Sequence, residues 1–117
     1  EIYTLSLHDA LPIWSAMPFI YAQLARQIAC GADVAKVALM PQSEEDVLKV
    51  FEATLATRRD FPDTPLITMS MGRLGQISRI AGGLYGSDLT FAVGSAASAP
   101  GQIPVREMRG SFELIYR

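Results

Sequence analysis

The sequence predicts an α/β fold with a parallel sheet. Three apolar runs of strand length, Val34–Met40, Leu66–Met71 and Leu89–Val93, are each followed by a segment in which apolar residues recur with helical spacing. This regular alternation is typical of parallel strands joined by right-handed helical crossovers. A further helical segment, Pro18–Cys30, comes before the first of these strands, and a strand is expected to precede it in turn. The 117 residues therefore indicate part of a larger α/β domain.

Most of the predicted helices carry a start or stop signal. A glycine ends the first helix at Gly31, and the third, Gln76–Leu84, is closed by Gly86. Pro104 opens the last helix, and Ser43 is expected to cap the second through its hydroxyl group. The buried face of that second helix is predicted to consist of four apolar residues, Val47, Leu48, Phe51 and Leu55.

The composition argues against several classes of function. A net charge of −2 argues against a nucleic-acid partner. No apolar run approaches the ~20 residues that span a bilayer, so no membrane partner is expected. Cys30 is the only cysteine, which leaves no disulfide framework and no cysteine metal cluster. These observations favour a cytoplasmic protein without a metal site.

Lys36 is the most informative residue, because it is the only charged residue in the run Val34–Met40. The other lysine, Lys49, lies on the predicted polar face of a helix. An amine among apolar groups loses hydration, which favours its neutral form, the nucleophile that attacks a carbonyl to form a Schiff base. The alternative is an edge-strand lysine whose stem packs on apolar surface while its ammonium group reaches water.

Two further candidates follow the later strands. Arg79, in Ile77-Ser78-Arg79-Ile80, is either a surface cation or an anion clamp directed at the strand ends. The loop Gly94–Gln102 either brings the Ser98 and Gln102 side chains onto a polar ligand or is a plain connection. In α/β barrels the functional groups lie at the carboxyl ends of the strands. Lys36, Arg79 and this loop are therefore expected on one face.

Three segments, in order and at matching spacing, resemble type I 3-dehydroquinate dehydratase: Gly31–Pro41, Ile67–Gly72 with Ile77–Arg79, and Ser98–Ile103. The resemblance implies the C-terminal portion, three strands with their helices, of a (β/α)₈ TIM barrel. It also implies the dehydration of 3-dehydroquinate to 3-dehydroshikimate in the shikimate pathway, through an imine and with no cofactor. The parent enzyme is expected to be a homodimer with this small molecule as substrate.

The resemblance also implies a role for each candidate residue. Lys36 matches the Schiff-base lysine, and Arg79 matches the arginine expected to hold the substrate carboxylate by a bidentate pair. Ser98 and Gln102 match the polar ligands of the last loop. Two alternatives stay open: a class I aldolase-like lyase, which would share the lysine, and an inactive barrel remnant.

Residues 1–13, EIYTLSLHDALPI, are expected to be foreign to the fold. They resemble the translation of a short-read sequencing adapter, so residues 14–117 are expected to be a truncated part of the barrel. The family's catalytic histidine precedes an aspartate, and His8-Asp9 lies near the expected position. The residues around His8 are those of the adapter, however, so His8 is not predicted to be the base. The chain alone is expected to have little or no activity.

Overall fold

The computed structural model describes the backbone of residues 2–7 and describes residues 17–94 and 100–117 in full. Along the chain its elements are β1 (Ile2–Leu7), α1 (Met17–Ala29), β2 (Val34–Leu39), α2 (Glu44–Asp60), β3 (Leu66–Ser70), α3 (Gln76–Ala81), a 3₁₀ helix (Gly82–Tyr85), β4 (Ala92–Val93), β5 (Ile103–Pro104) and α4 (Val105–Ile115). The fold is α/β, as predicted. None of the helices in these ranges is long and apolar enough to cross a membrane.

The main sheet has three parallel strands in the order β1-β2-β3. On the central strand β2, Lys36 lies opposite Thr4 of β1 and Ile67 of β3. All five residues of β3 are buried, which explains its continuous apolar run. The predicted lysine therefore occupies the middle of the sheet and not an edge.

The two faces of this sheet carry different cores. On one face, α1 and α2 pack on β2 and β3 around a cluster of eight buried residues: Ile20, Leu24, Ala35, Val37, Leu39, Val50, Ala53 and Leu66. On the other face, a second cluster contains Ala38, Ile67, Met69 and Met71. Side chains alternate between the faces of a strand, so Lys36 shares the second face with Ala38. The lysine thus points away from α1 and α2.

Helix α2 differs from its prediction in two details. Ser43 is the residue before the helix, but its hydroxyl makes no capping hydrogen bond. Leu48, predicted to be buried, is 63% exposed, whereas Val50 is 2% exposed. The buried side of α2 consists of Val47, Val50, Ala53, Thr54 and Thr57. The buried threonines were missed because their hydroxyls are satisfied locally, with Thr54 and Thr57 donating to backbone carbonyls one turn earlier.

The predicted third strand is much shorter than expected. Only Ala92–Val93 forms a strand, and it pairs in parallel with β5 instead of joining the main sheet. The edge of β3 is bonded to the loop before β4. The Leu66 N–H donates to the Asp88 carboxylate at 2.7 Å, and the Thr68 N–H donates to the Ser87 hydroxyl at 3.1 Å. These side chains occupy the positions that a pairing strand needs.

The third helix is also shorter than predicted. Residues predicted as one helix over Gln76–Leu84 form α3 and then a 3₁₀ helix that ends at Gly86, where φ is +114°. The last helix begins at Val105, because Pro104 is still paired in β5. The predicted elements are thus present, but their boundaries shift where tertiary hydrogen bonds compete.

The expectation that residues 1–13 lie outside the fold is wrong for Ile2–Leu7. This segment forms β1 and pairs along its whole length with β2, from Ile2 opposite Val34 to Leu7 opposite Leu39. The edge of β2 that faces away from β3 is open to pairing, which favours an extended segment with β-branched residues beside it. The foreign origin of the segment stays a prediction, and His8 lies outside the described residues.

Candidate functional site

The Lys36 amine lies beneath an aromatic ring. Its Nζ is 4.9 Å from the centroid of the Phe91 ring, and Phe91 comes directly before β4. The lysine side chain is half-buried. An ammonium or iminium cation over a phenyl face is attracted by the ring quadrupole. Phe91 therefore belongs to the surroundings of the amine, a contact that the sequence did not reveal because the two residues are far apart along the chain.

Arg79 is buried in α3 and is only 2% exposed. Its Nη2 donates to the Pro100 carbonyl at 3.2 Å, while Nε and Nη1 have no hydrogen-bond partner among the described residues. Burial lowers the pKa of the Arg79 guanidinium, because desolvation disfavours its charge. A buried cation with unpaired N–H groups is suited to a carboxylate, which accepts two such bonds in parallel. Of the two possibilities for Arg79, the surface cation is excluded.

The last loop returns to the end of β3. The Gly72 N–H donates to the Pro100 carbonyl at 3.1 Å. Gly101 has φ +81°, and a Cβ there would lie 2.3 Å from the Gly72 oxygen, so only glycine allows this approach. Gln102 follows directly and is half-buried. Ser98 lies outside the described residues.

The predicted residues are thus brought to one C-terminal stretch of the chain. Arg79 binds Pro100, two residues before Gln102. Lys36 contacts Phe91, and the strand after Phe91 pairs with β5, in which Ala92 lies opposite Ile103. The lysine and the arginine are therefore connected through β4, β5 and the residues beside them. The amine of Lys36, the cation of Arg79 and the amide of Gln102 are thus linked to one stretch, residues 91–103.

Arg79 also borders a cavity of about 240 Å³ between α3 and α4, which Phe112 of α4 and Tyr116, the residue after that helix, help to line. The Tyr116 hydroxyl donates to the Ile80 carbonyl at 2.7 Å and accepts from the Gly83 N–H at 3.0 Å. These bonds dock α4 onto α3 and its 3₁₀ extension. Within residues 17–94 and 100–117, no three His, Cys, Asp or Glu side chains are grouped as metal ligands.

Comparison with known proteins assigns the family. A sequence model of the family "Type I 3-dehydroquinase" matches residues 5–117, a range that begins inside the segment expected to be foreign. The chain is 56% identical over 87 residues to a 3-dehydroquinate dehydratase of Geobacillus thermodenitrificans, covering 74% of this chain and 34% of the relative. It is 51% identical over 98 residues to that of Lactiplantibacillus plantarum, covering 84% and 38%. The chain spans about a third of the length of these curated relatives.

Solved structures agree with this assignment. The 3-dehydroquinate dehydratase of Geobacillus kaustophilus superposes with a TM-score of 0.92 at 43% identity, over 98% of this chain and 43% of that one. The type I enzyme of Clostridium difficile superposes with a TM-score of 0.87 at 39% identity, over 98% and 44%. The fold is therefore a C-terminal portion of the barrel of these enzymes. The chain belongs to the type I 3-dehydroquinase family.

Proposed function

We propose that this chain supplies the imine-forming part of a 3-dehydroquinate dehydratase, which converts 3-dehydroquinate to 3-dehydroshikimate in the shikimate pathway. The observation that carries the proposal is the Lys36 amine, half-buried on the sheet face opposite α1 and α2 and covered by Phe91. Family membership supports the choice of reaction. It favours a dehydratase over the aldolase-like alternative, which needs only the lysine.

The first step uses Lys36 as a nucleophile. Its neutral amine adds to the C3 ketone of the substrate, and loss of water with uptake of one proton gives an iminium ion. The positive nitrogen withdraws electrons from the adjacent carbon, so a proton on C2 becomes acidic. Phe91 faces this nitrogen, and its ring stabilises the cation as it forms.

Elimination and release complete the reaction. A general base removes the C2 proton, and the electron pair forms the C1–C2 double bond as the C1 hydroxyl leaves. The same base returns the proton to that hydroxyl, which departs as water. Hydrolysis of the imine then releases the product and restores Lys36. By the family resemblance the base is a histidine, and we do not assign it to His8.

Arg79 and the last loop bind the substrate in this proposal. The guanidinium of Arg79, whose Nε and Nη1 have no acceptor among the described residues, binds the substrate carboxylate. Gln102, next to the turn that Arg79 holds, contributes a side-chain amide to the hydroxyl groups. Ser98 joins it from the same loop. The Clostridium difficile relative was solved with covalently modified comenic acid, which supports a covalent site for a small acid.

The remaining expectations of the sequence belong to the same proposal. The reaction uses a small-molecule substrate in the cytoplasm and needs no cofactor or metal, since the protonated imine is the electron sink. Neither nucleic acid nor membrane takes part, and the parent enzyme is a homodimer.

The test uses a completed protein, in which residues 17–117 follow the amino-terminal part of the Geobacillus thermodenitrificans relative that precedes the match. With 3-dehydroquinate and borohydride, this protein is expected to form a stable reduced adduct on Lys36, and Lys36→Ala is expected to abolish it. Peptide mass spectrometry locates the label. Lys49→Ala, which removes the other lysine of this chain, is the matched control and keeps the adduct. A label on any other residue ends the assignment of Lys36.

A further inference from the structure

Gln27, near the end of α1, holds the backbone of Lys36 with both ends of its side-chain amide. The Lys36 N–H donates to Gln27 Oε1 at 2.8 Å, and Gln27 Nε2 donates to the Lys36 carbonyl at 3.0 Å. These two groups belong to the peptide planes on either side of the Lys36 Cα. The N–H of the preceding residue, Ala35, has a different partner: it donates to the Pro65 carbonyl, beside β3, at 3.0 Å.

Two such bonds define the direction of the lysine side chain. The orientations of the two flanking peptide planes determine φ and ψ of Lys36. These angles set the direction of the Cα–Cβ bond, and therefore the direction in which the amine extends. Gln27 is itself anchored, because its own carbonyl accepts the Ala32 N–H at 3.1 Å in the turn that leads into β2. The helix end, the turn and the strand are therefore connected through one half-buried residue.

We infer that Gln27 is a positioning residue for Lys36, an inference that rests on the proposed function. Gln27 lies on the helix side of the sheet and acts through the strand backbone, so it touches neither substrate nor reacting atoms. It holds the amine at the angle from which it attacks the substrate ketone. A displacement of about 1 Å in such a geometry lowers a rate by up to about 100-fold.

The experiment compares Gln27→Leu, Gln27→Glu and the control Gln23→Leu, one turn earlier on α1, in the completed protein. Gln27→Leu is expected to lower kcat and the rate of borohydride trapping on Lys36 about tenfold, with KM within about twofold, because substrate contacts are unchanged. Gln27→Glu keeps the acceptor for the Lys36 N–H and is expected to recover part of the rate. Gln23→Leu is expected to match the unsubstituted protein.

Amide hydrogen exchange of the completed protein checks the bond itself. In Gln27→Leu, protection is expected to fall at Lys36 and to stay at Ala35, whose N–H bonds on the β3 side. Loss of protection at both Lys36 and Ala35 would overturn the inference, because Gln27 would then only stabilise the fold. A lower melting temperature with an unchanged trapping rate would do the same. If the unsubstituted completed protein shows no adduct on Lys36, the proposed function fails instead.

Discussion

At the scale of single residues, Arg79 stands out as a cation held in the interior with part of its hydrogen-bonding capacity unused. Only Nη2 has a described partner, the Pro100 carbonyl. Removing a guanidinium from water costs free energy that a single carbonyl does not offset. A bound carboxylate would supply both the missing charge and the missing acceptors. The cost of burying Arg79 is therefore consistent with a site prepared for an anion.

Arg79→Ala in the completed protein is expected to weaken transition-state binding by about 2–5 kcal/mol, because a charge-assisted bidentate contact in a desolvated site is lost. The measurement is kcat/KM with 3-dehydroquinate. The Lys36 amine is expected to keep its reactivity toward simple carbonyl compounds, since Arg79 takes no part in forming the imine.

Arg73→Ala is the control for this substitution, because Arg73 is exposed and lies in the turn before α3. It is expected to leave kcat/KM unchanged. Equal effects of the two substitutions would mean that Arg79 acts through net charge and not through contact with the substrate.

Tyr21 provides a residue-scale prediction about pH. Its hydroxyl donates to the Asp60 carboxylate at 2.6 Å, and this hydrogen bond is the main cause that raises the pKa of Tyr21 above its ordinary value of 10.0. Since the pKa is higher in the folded state, the stabilising contribution is complete below pH 10 and is lost as pH rises through the folded value. Urea midpoints of the completed protein are expected to fall above pH 10, and less so in Tyr21→Phe. Tyr85→Phe is the control and keeps the full decline.

At the scale of elements, Arg58 connects the end of α2 to two loops, the one that leads into β3 and the one before β4. Its Nη1 donates to the Pro62 and Thr64 carbonyls at 3.1 and 3.0 Å, in the loop that leads into the strand. Its Nη2 donates to the Gly86 carbonyl at 2.7 Å and also pairs with the Asp88 carboxylate. Asp88 in turn holds the Leu66 N–H at the edge of β3. One side chain thus joins a helix, a strand and the loop before β4.

Arg58→Met is therefore expected to lower the free energy of unfolding of the completed protein by on the order of 2 kcal/mol, because several carbonyls and a carboxylate lose their donor together. Arg59→Met, at the exposed neighbouring position, is expected to change it by less than about 0.5 kcal/mol. Urea unfolding measures both. Similar urea midpoints for the two variants would show that water replaces the Arg58 contacts with no change in the free energy of unfolding.

At the scale of the whole molecule, the two edges of the main sheet differ. The β3 edge is occupied by Ser87, by Asp88 and by Ser78, whose hydroxyl accepts the Ser70 N–H at 2.8 Å. No strand in the described part of the chain pairs with the outer edge of β1, because β1 is the first strand in the order β1-β2-β3. A parallel sheet with an open edge tends to pair with other chains. Because only the β1 edge is open among the described strands of this sheet, we expect copies of the chain to associate through β1.

The 117-residue chain is accordingly expected to be self-associated or poorly soluble and to show no dehydratase activity above background. The absorbance of the conjugated product measures turnover, and size-exclusion chromatography with light scattering measures the mass. The completed protein is the positive control. A monomeric, active 117-residue chain would contradict this prediction, and loss of that activity in His8→Ala would identify His8 as the base.

The elements of the chain could be predicted from the sequence because their signals are local. The apolar run of β2 with a single lysine, the glycine after α1 and the glycine that closes the 3₁₀ helix each depend on neighbours a few residues away. In the structure, the alternation along β2 separates Lys36 from the helix-facing residues Ala35 and Val37. The family resemblance rested on the same short segments, and the family match confirms it.

Other features depended on residues that are distant in the sequence. The pairing of β1 with β2, the Phe91 ring over Lys36 and the Gln27 amide against the strand join positions with no common sequence pattern. The shortening of the third strand also depends on distant residues. Asp88 and Ser87 accept the N–H groups of β3 that a pairing strand would need.

The sequence by itself determined the α/β class, the order of the elements from α1 onward apart from the short β5, and the presence of a lysine on an apolar strand, because these follow from local propensity and from periodicity. Only the tertiary structure decided that Lys36 lies on the central strand, that Arg79 is buried with two nitrogen donors that no described residue accepts, and that both contact the same C-terminal stretch. Burial, strand pairing and hydrogen-bond satisfaction are properties of the packed chain. They are decided by which distant groups compete for the same partner.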